Sequence, residues 1–327
     1  MSAQSSKELV RSLFQFRDLS RIPFLPWMGR FAAQLEQVDV KEMLCDPGAL
    51  SRALLNAQRL FGYDAIATVI DPTLEAEACG CSIEWGGPGD LPAVTGHPLA
   101  EAKDLAFTGF EKRGRVPVVL EALKRINAIR GKEIAIVGVV TGPLTLARHL
   151  RGDALLSDPT PDAAKTVALA GSVALKLARS YCEAGVDVIA IADEMLGQAE
   201  PSRCQLAAAP LRSIWNVVHF YNAHSLLVTR HARPEHVEPL LGLGADGVVL
   251  SGELDQAELA RAAAAWRQCC GYPVPDAALR EGGAPAANLP PVRGKGLFLS
   301  TEWDVPYEAS VDRMNDVMRM IADLQHS

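Results

Sequence analysis

This sequence predicts an α/β fold of the (β/α)8 TIM-barrel class, on three observations. Short apolar runs rich in Val, Ile, Ala and Leu recur along the chain, without the polar alternation of a half-exposed strand. Such runs suit strands buried on both faces of a parallel sheet. Nearly every run stops at an acid, an arginine, a threonine or a serine, and a stretch of helical spacing separates it from the next. At 327 residues the common closed arrangement of such βα units is an eight-stranded barrel, expected here as a single domain over residues 1–327.

The chain should open with a helix over Ser5–Phe16, placing Leu9, Val10, Leu13 and Phe14 on one face. Arg21–Arg30 supplies a short first strand ending in Gly29-Arg30, and Val40–Gly62 reads as one or two helices. Asp64–Ile70 is the second strand; it stops at Asp71-Pro72 because proline lacks a ladder donor and biases its predecessor towards a turn. Thr108–Arg130 is helical in its second part, with Gly131 as the stop. Glu133–Val140 is a third strand, closed by Thr141-Gly142-Pro143, followed by a helix from Leu144 through Leu150 and a long one over Pro161–Gly185. Asp187–Ala192, Leu226–Thr229 and Gly247–Leu250 read as strands ending in Asp193-Glu194, Arg230-His231 and Ser251, with helices over Pro210–Ala223 and Pro234–Leu243. Gly296–Ser300 is one more strand, and Ser310–Leu324 an amphipathic closing helix. One strand is missing from this count. The irregular segment Cys269–Lys295, with many prolines and glycines, is expected to hold a degenerate strand around Ala286–Leu289 or a loop in its place. A doubly wound sheet is the second choice, unsupported by any G-x-G-x-x-G after the first strand.

A net charge of -7 offers no basic field for nucleic acid, and no run of about 18 apolar residues suggests a membrane span. The N-terminus has scattered charges and no apolar export core, so a cytoplasmic location is expected. Seven irregularly spaced cysteines argue against a disulfide framework, and Cys79-x-Cys81 is too close for a usual zinc knuckle.

In a barrel, the loops after the strands share one rim, where chemistry collects. The residues at those positions are Arg30, Asp71, Glu75, Glu77, Thr141, Asp193, Glu194, Arg230, His231, Ser251, Glu302 and Asp304. The acids of Asp71–Gly80 are candidates for catalysis, together with Glu194, which directly abuts an apolar strand. Arg30, Thr141, Asp193 and Arg230 are candidates for binding substrate. Arg30 could equally pair with Asp71, since a guanidinium fork binds carboxylates in either setting. His231, with Glu194 and Glu302 or Asp304, is the candidate metal set.

Six segments carry a family resemblance: Pro26–Arg30 (PWMGR), Asp71–Gly80 (DPTLEAEACG), Thr141–Gly152 (TGPLTLARHLRG), Ala184–Glu194 (AGVDVIAIADE), Leu243–Leu250 (LGADGVVL) and Leu299–Pro306 (LSTEWDVP). In these the chain resembles the uroporphyrinogen decarboxylase superfamily, whose members are (β/α)8 barrels, and within it the corrinoid-dependent methyltransferases of the methylcobamide:coenzyme M type. The resemblance covers most of the chain outside Cys269–Lys295. Decarboxylases of the family hold tetrapyrrole carboxylates with two arginines in the first strand; here Arg30 remains and Pro26 takes the other place. Asp71 matches the aspartate that binds pyrrole nitrogens, and the late histidine falls near Glu302. Thiol methyltransferases of the branch hold zinc through His-x-Cys and a later Cys; these positions fall on Val228, Arg230 and near Trp303, none of them a usual ligand.

The resemblance implies a methyltransferase that moves a methyl group between a small methylated substrate and a corrinoid carried by a partner protein, since no corrinoid-binding module is legible in the chain. Asp71, Glu75, Glu77 and Glu194 would serve catalysis, and Arg30 would orient a carboxylate or phenolate. Zinc, if held, would fall to His231, Glu194 and Glu302. Two alternatives stand beside this: decarboxylation of a smaller carboxylic acid, with Arg30 on the carboxylate and Asp71 stabilising positive charge, and a non-catalytic barrel subunit.

Overall fold

The computed structural model describes residues 4–99, 109–153, 161–282 and 294–326. Eight parallel strands make one sheet: β1 (Phe24–Trp27), β2 (Ala65–Ala67), β3 (Ala135–Thr141), β4 (Val188–Ala192), β5 (His224–Ala232), β6 (Gly247–Gly252), β7 (Cys269–Val274) and β8 (Leu297–Asp304). Each pairs with its neighbour in chain order from β2 to β8, and β8 pairs with β1. The Asp64 N–H donates to Phe24 O at 2.9 Å, so the cylinder is also joined between β1 and β2. Helices lie between successive strands, and an antiparallel ribbon, Ser82–Glu84 with Ala93–Gly96, projects from the loop after β2. No described helix is long and apolar enough to cross a membrane.

The period of two along each strand separates two apolar layers. Leu25, Ala67, Val137, Val139, Ala190, Val228, Val249 and Phe298 fill the barrel, while the alternating residues Ile66, Ile136, Ile189, Leu227 and Val248 pack against the helices. The first helix, Ser6–Phe14, begins with a Ser5–Glu8 capping box and sends Val10, Leu13 and Phe14 into the inner layer. It is tied to the amino-terminal ends of the strands: Lys7 Nζ lies 2.9 Å from Asp187 just before β4, and Ser6 donates to Asp64 just before β2.

The missing strand is β7, Cys269–Val274, at the very start of the segment expected to be irregular; Ala286–Leu289 lies outside the described residues. Its CCGYPV sequence contains the two residues that ordinarily break strands, and each has a structural reason. A Cβ on Gly271 would sit 2.6 Å from the Phe298 ring, so glycine makes room for an aromatic side chain of the inner layer. Pro273 lies opposite Ser300 near the strand's end, where a missing N–H costs least. The helix Gln256–Ala265, capped by Asp255, completes the preceding unit. Pro210 starts no helix; it lies inside Gln205–Phe220.

Candidate functional site

At the carboxyl-terminal end of the barrel a cavity of about 220 Å³ opens. Arg30, Asp71, Thr141, Thr145, Glu194, Arg230 and Asp304 supply its polar lining, and Ile70, Leu91, Val139, Ala192 and Trp303 its apolar walls. The polar groups come from the ends of β1, β2, β3, β4, β5 and β8, so distant parts of the sequence meet at one mouth.

On the β2–β4 side the carboxylates are largely consumed by the scaffold. Asp71 accepts from the Thr73 N–H at 2.9 Å and the Thr73 hydroxyl at 2.7 Å, and its other oxygen pairs with buried Arg115. Arg115 also donates through Nε to Glu77 at 2.8 Å, through Nη2 to Thr73, and packs over the Trp85 ring. Glu77 therefore holds Arg115 and does not line the cavity. Glu75 is buried beside Thr141, accepting from its N–H at 2.7 Å and its hydroxyl at 2.5 Å. Burial pushes the Glu75 carboxyl up to about 7 against the opposing effect of these bonds. Asp193 is fully buried and caps the helix Pro143–Arg151, accepting from the Leu144 N–H, the Thr145 N–H and the Thr145 hydroxyl. Its pKa is raised by burial, which outweighs those bonds.

The β1, β5 and β8 ends face the cavity with ion pairs of a different kind. Arg30 pairs with Asp304, not Asp71: Asp304 Oδ2 accepts from Arg30 Nε at 2.8 Å and from its backbone N–H at 3.2 Å. Asp304 is buried, and desolvation lifts it to about 6, offset by Arg30. Its second oxygen has no partner among the described residues and lies against Gly29, where any Cβ would collide with it. Arg230 reaches Glu194 Oε1 through Nε at 2.8 Å and Nη2 at 2.6 Å, while its guanidinium lies over the Trp303 ring at 5.2 Å.

The candidate metal set is not assembled. His231 is exposed, with Nε2 3.5 Å from Glu194 Oε1, whereas Glu302 turns aside to accept the Asp276 N–H at 3.0 Å. Among the described residues no group of three or more His, Cys, Asp or Glu side chains could hold a metal ion. The donor set of His231, Glu194 and Glu302 therefore does not fit zinc. The physical reason is local: His231 adopts a left-handed backbone conformation (φ 62°) in a bulge of β5, which turns it outwards, and Glu302 is used at the start of the helix Asp276–Leu279.

Sequence reasoning missed Arg115 altogether. It precedes the helix Val116–Arg130 in a stretch without a motif, and only the need of Asp71 for a partner could have pointed to it. Trp303 and Thr145 were legible as rim residues only through the strand ends beside them.

A family model described as uroporphyrinogen decarboxylase (URO-D) matches residues 5–281. Among curated proteins, methylcobamide:CoM methyltransferase MtbA of Methanosarcina acetivorans is 33% identical over 203 residues, covering 59% of this chain and 59% of that protein. Methylcobamide:CoM methyltransferase MtaA of Methanosarcina barkeri is 28% identical over 228 residues, covering 64% and 67%. The chain thus spans about 59% of the length of the first curated relative it matches. A solved methyltransferase structure from Methanosarcina mazei superposes with a TM-score of 0.85 at 21% identity, covering 99% of this chain and 100% of that one. At that identity the likeness shows the fold.

Proposed function

Since the chain belongs to the uroporphyrinogen decarboxylase family, we propose that it moves a methyl group between a small methylated compound and the cobalt of a corrinoid carried by a partner protein. The names of the curated relatives support methyl transfer over decarboxylation. The observation that carries the reading is the size of the cavity. About 220 Å³ lies below the range of roughly 300–1,000 Å³ typical of drug-sized ligands, so a tetrapyrrole does not fit within the space that the described residues enclose here. A compound of a few heavy atoms does, with the corrinoid presented from outside.

When presented at the mouth, the corrinoid supplies the cobalt that takes up or gives up the methyl group. The protein's part is to bind, orient and exclude water. Ile70, Leu91, Val139 and Ala192 offer a dry wall to the methyl group, and Arg30 and Arg230 fix the polar end of the compound. Asp304 holds a proton below about pH 6, next to the same space. Decarboxylation of a smaller acid is less well supported: Asp71, needed there to stabilise positive charge on the substrate, already has its oxygens on Thr73 and Arg115.

The test is the appearance of methylated cobalamin from cob(I)alamin with a panel of methoxyaromatics and methylamines, repeated with a supplied corrinoid protein. Turnover of one substrate class is expected. Inactivity throughout, or release of labelled carbon dioxide from a carboxylic acid, would count against the reading.

A further inference from the structure

The hydrogen-bonding groups around the cavity do not balance. Asp71 spends its oxygens on Thr73 and Arg115, Thr141 directs its hydroxyl to Glu75, and Thr145 directs its own to Asp193. Arg30 engages Asp304 through Nε and its backbone N–H, and neither terminal amino group of its guanidinium has a partner among the described residues. Arg230 places Nε and Nη2 on the same oxygen of Glu194, leaving Nη1 without a partner among them. A guanidinium carries five N–H donors, so the two arginines bring more donors than Glu194 and Asp304 can absorb. Asp304 Oδ1, a buried acceptor without a partner among the described residues, lies against Gly29. The complement to such a cavity is a ligand that accepts hydrogen bonds and carries negative charge.

Arg230 is also held in place by construction. The ladder between β5 and β6 shifts register between Thr229 and Ala232, and His231 within that bulge is left-handed. A Cβ on Gly197 would collide with Arg230 O, and one on Gly252 with the Ala232 backbone, so two glycines clamp the bulge from either side. Trp303 gives the guanidinium a flat platform. A cation fixed this firmly loses little freedom when it binds an anion.

The geometry points to a small methylated compound bearing a carboxylate, gripped by Arg30 and Arg230 together, as the substrate class of this cavity. The methylated half of that statement rests on the proposed methyl transfer; the carboxylate half rests on the donor surplus. Planar N–H pairs match a carboxylate better than any neutral acceptor of the same size.

The two halves can be tested apart. Titration calorimetry with the purified protein compares methoxyacetate with its neutral isostere methoxyacetamide, and needs no corrinoid. The carboxylate should bind at least tenfold tighter than the amide. Arg230→Gln and Arg30→Gln should each bring the two ligands to near parity by weakening the acid far more than the amide, and Arg230→Lys, which keeps the charge without the planar fork, should fall between. Equal binding of acid and amide, no binding of methoxyacetate or of methoxybenzoate, or a preference that survives both glutamine variants overturns the inference. Arg30→Gln leaves buried Asp304 without its partner; if that variant does not fold, Arg230→Gln decides, since its partner Glu194 is partly exposed. A carboxylate preference without methyl transfer in any assay counts against the methyl-transfer reading alone. Methyl transfer confined to neutral or cationic donors counts against the carboxylate alone.

Discussion

The two sides of the barrel mouth use the same residue types to opposite ends. On the β2–β4 side, Asp71, Glu75, Glu77 and Asp193 are committed to Arg115, Thr73, Thr141 and the start of the helix Pro143–Arg151. On the β1, β5 and β8 side, the Arg30–Asp304 and Arg230–Glu194 pairs line the cavity and keep donors in hand. Position at the carboxyl end of a strand is therefore insufficient to mark an acid as chemical. What separates the two groups is how many of their hydrogen bonds the scaffold has already taken.

Replacing Arg115 is the most severe way to break this contrast. Arg115→Gln leaves Asp71 buried and uncompensated, and removing one partner of a buried pair costs about 3–5 kcal/mol. Denaturant unfolding should show a loss of that size, and a loss under about 1 kcal/mol would mean that Asp71 finds solvent. Next comes Asp193→Ala, which strips three bonds from a helix start and should destabilise by about 2 kcal/mol on the same measurement. If Asp193 instead served the substrate, stability would hold and activity alone would fall.

Glu75 sharpens the comparison through pH. Its folded pKa, about 7, lies above the usual value near 4.5, so the native state binds the extra proton between those limits. The wild type consequently gains stability as pH falls from 8 towards 5 and loses it as pH rises through about 7. Glu75→Gln can still accept from the Thr141 N–H and donate to its hydroxyl, and should melt higher than wild type at pH 8 by about 2 °C or more, a margin that narrows towards pH 5. A constant margin across that range would show that Glu75 does not carry the shift. The smallest effect is expected from metal removal: dialysis against a chelator should leave the melting temperature unchanged, and protein purified without chelator should hold well under one zinc per chain, because His231 and Glu302 point to different partners. Stoichiometric zinc would contradict that arrangement.

Most of the barrel was legible in the sequence because its strands are continuous apolar runs ending in charged residues, as Glu133–Val140 and Asp187–Ala192 illustrate. β7 was not, because Gly271 and Pro273 answer to Phe298 and to a strand end rather than to local propensity. For the site, the strand ends nominated Arg30, Asp71, Thr141, Glu194 and Arg230, and these five line one cavity. They could not show that Arg30 meets Asp304, 274 positions away, or that Asp71 and Glu77 share Arg115. Such pairings belong to the closed cylinder, and no periodicity within a segment encodes them.

The helix Ser6–Phe14 stoppers the opposite end of the cylinder with Val10, Leu13 and Phe14. Whatever enters the cavity must consequently leave by the same doorway. If, as proposed, a carrier protein covers that doorway during methyl transfer, the small molecule has to be aboard before the carrier arrives and cannot depart until it has gone, so traffic through the barrel would follow a strict queue.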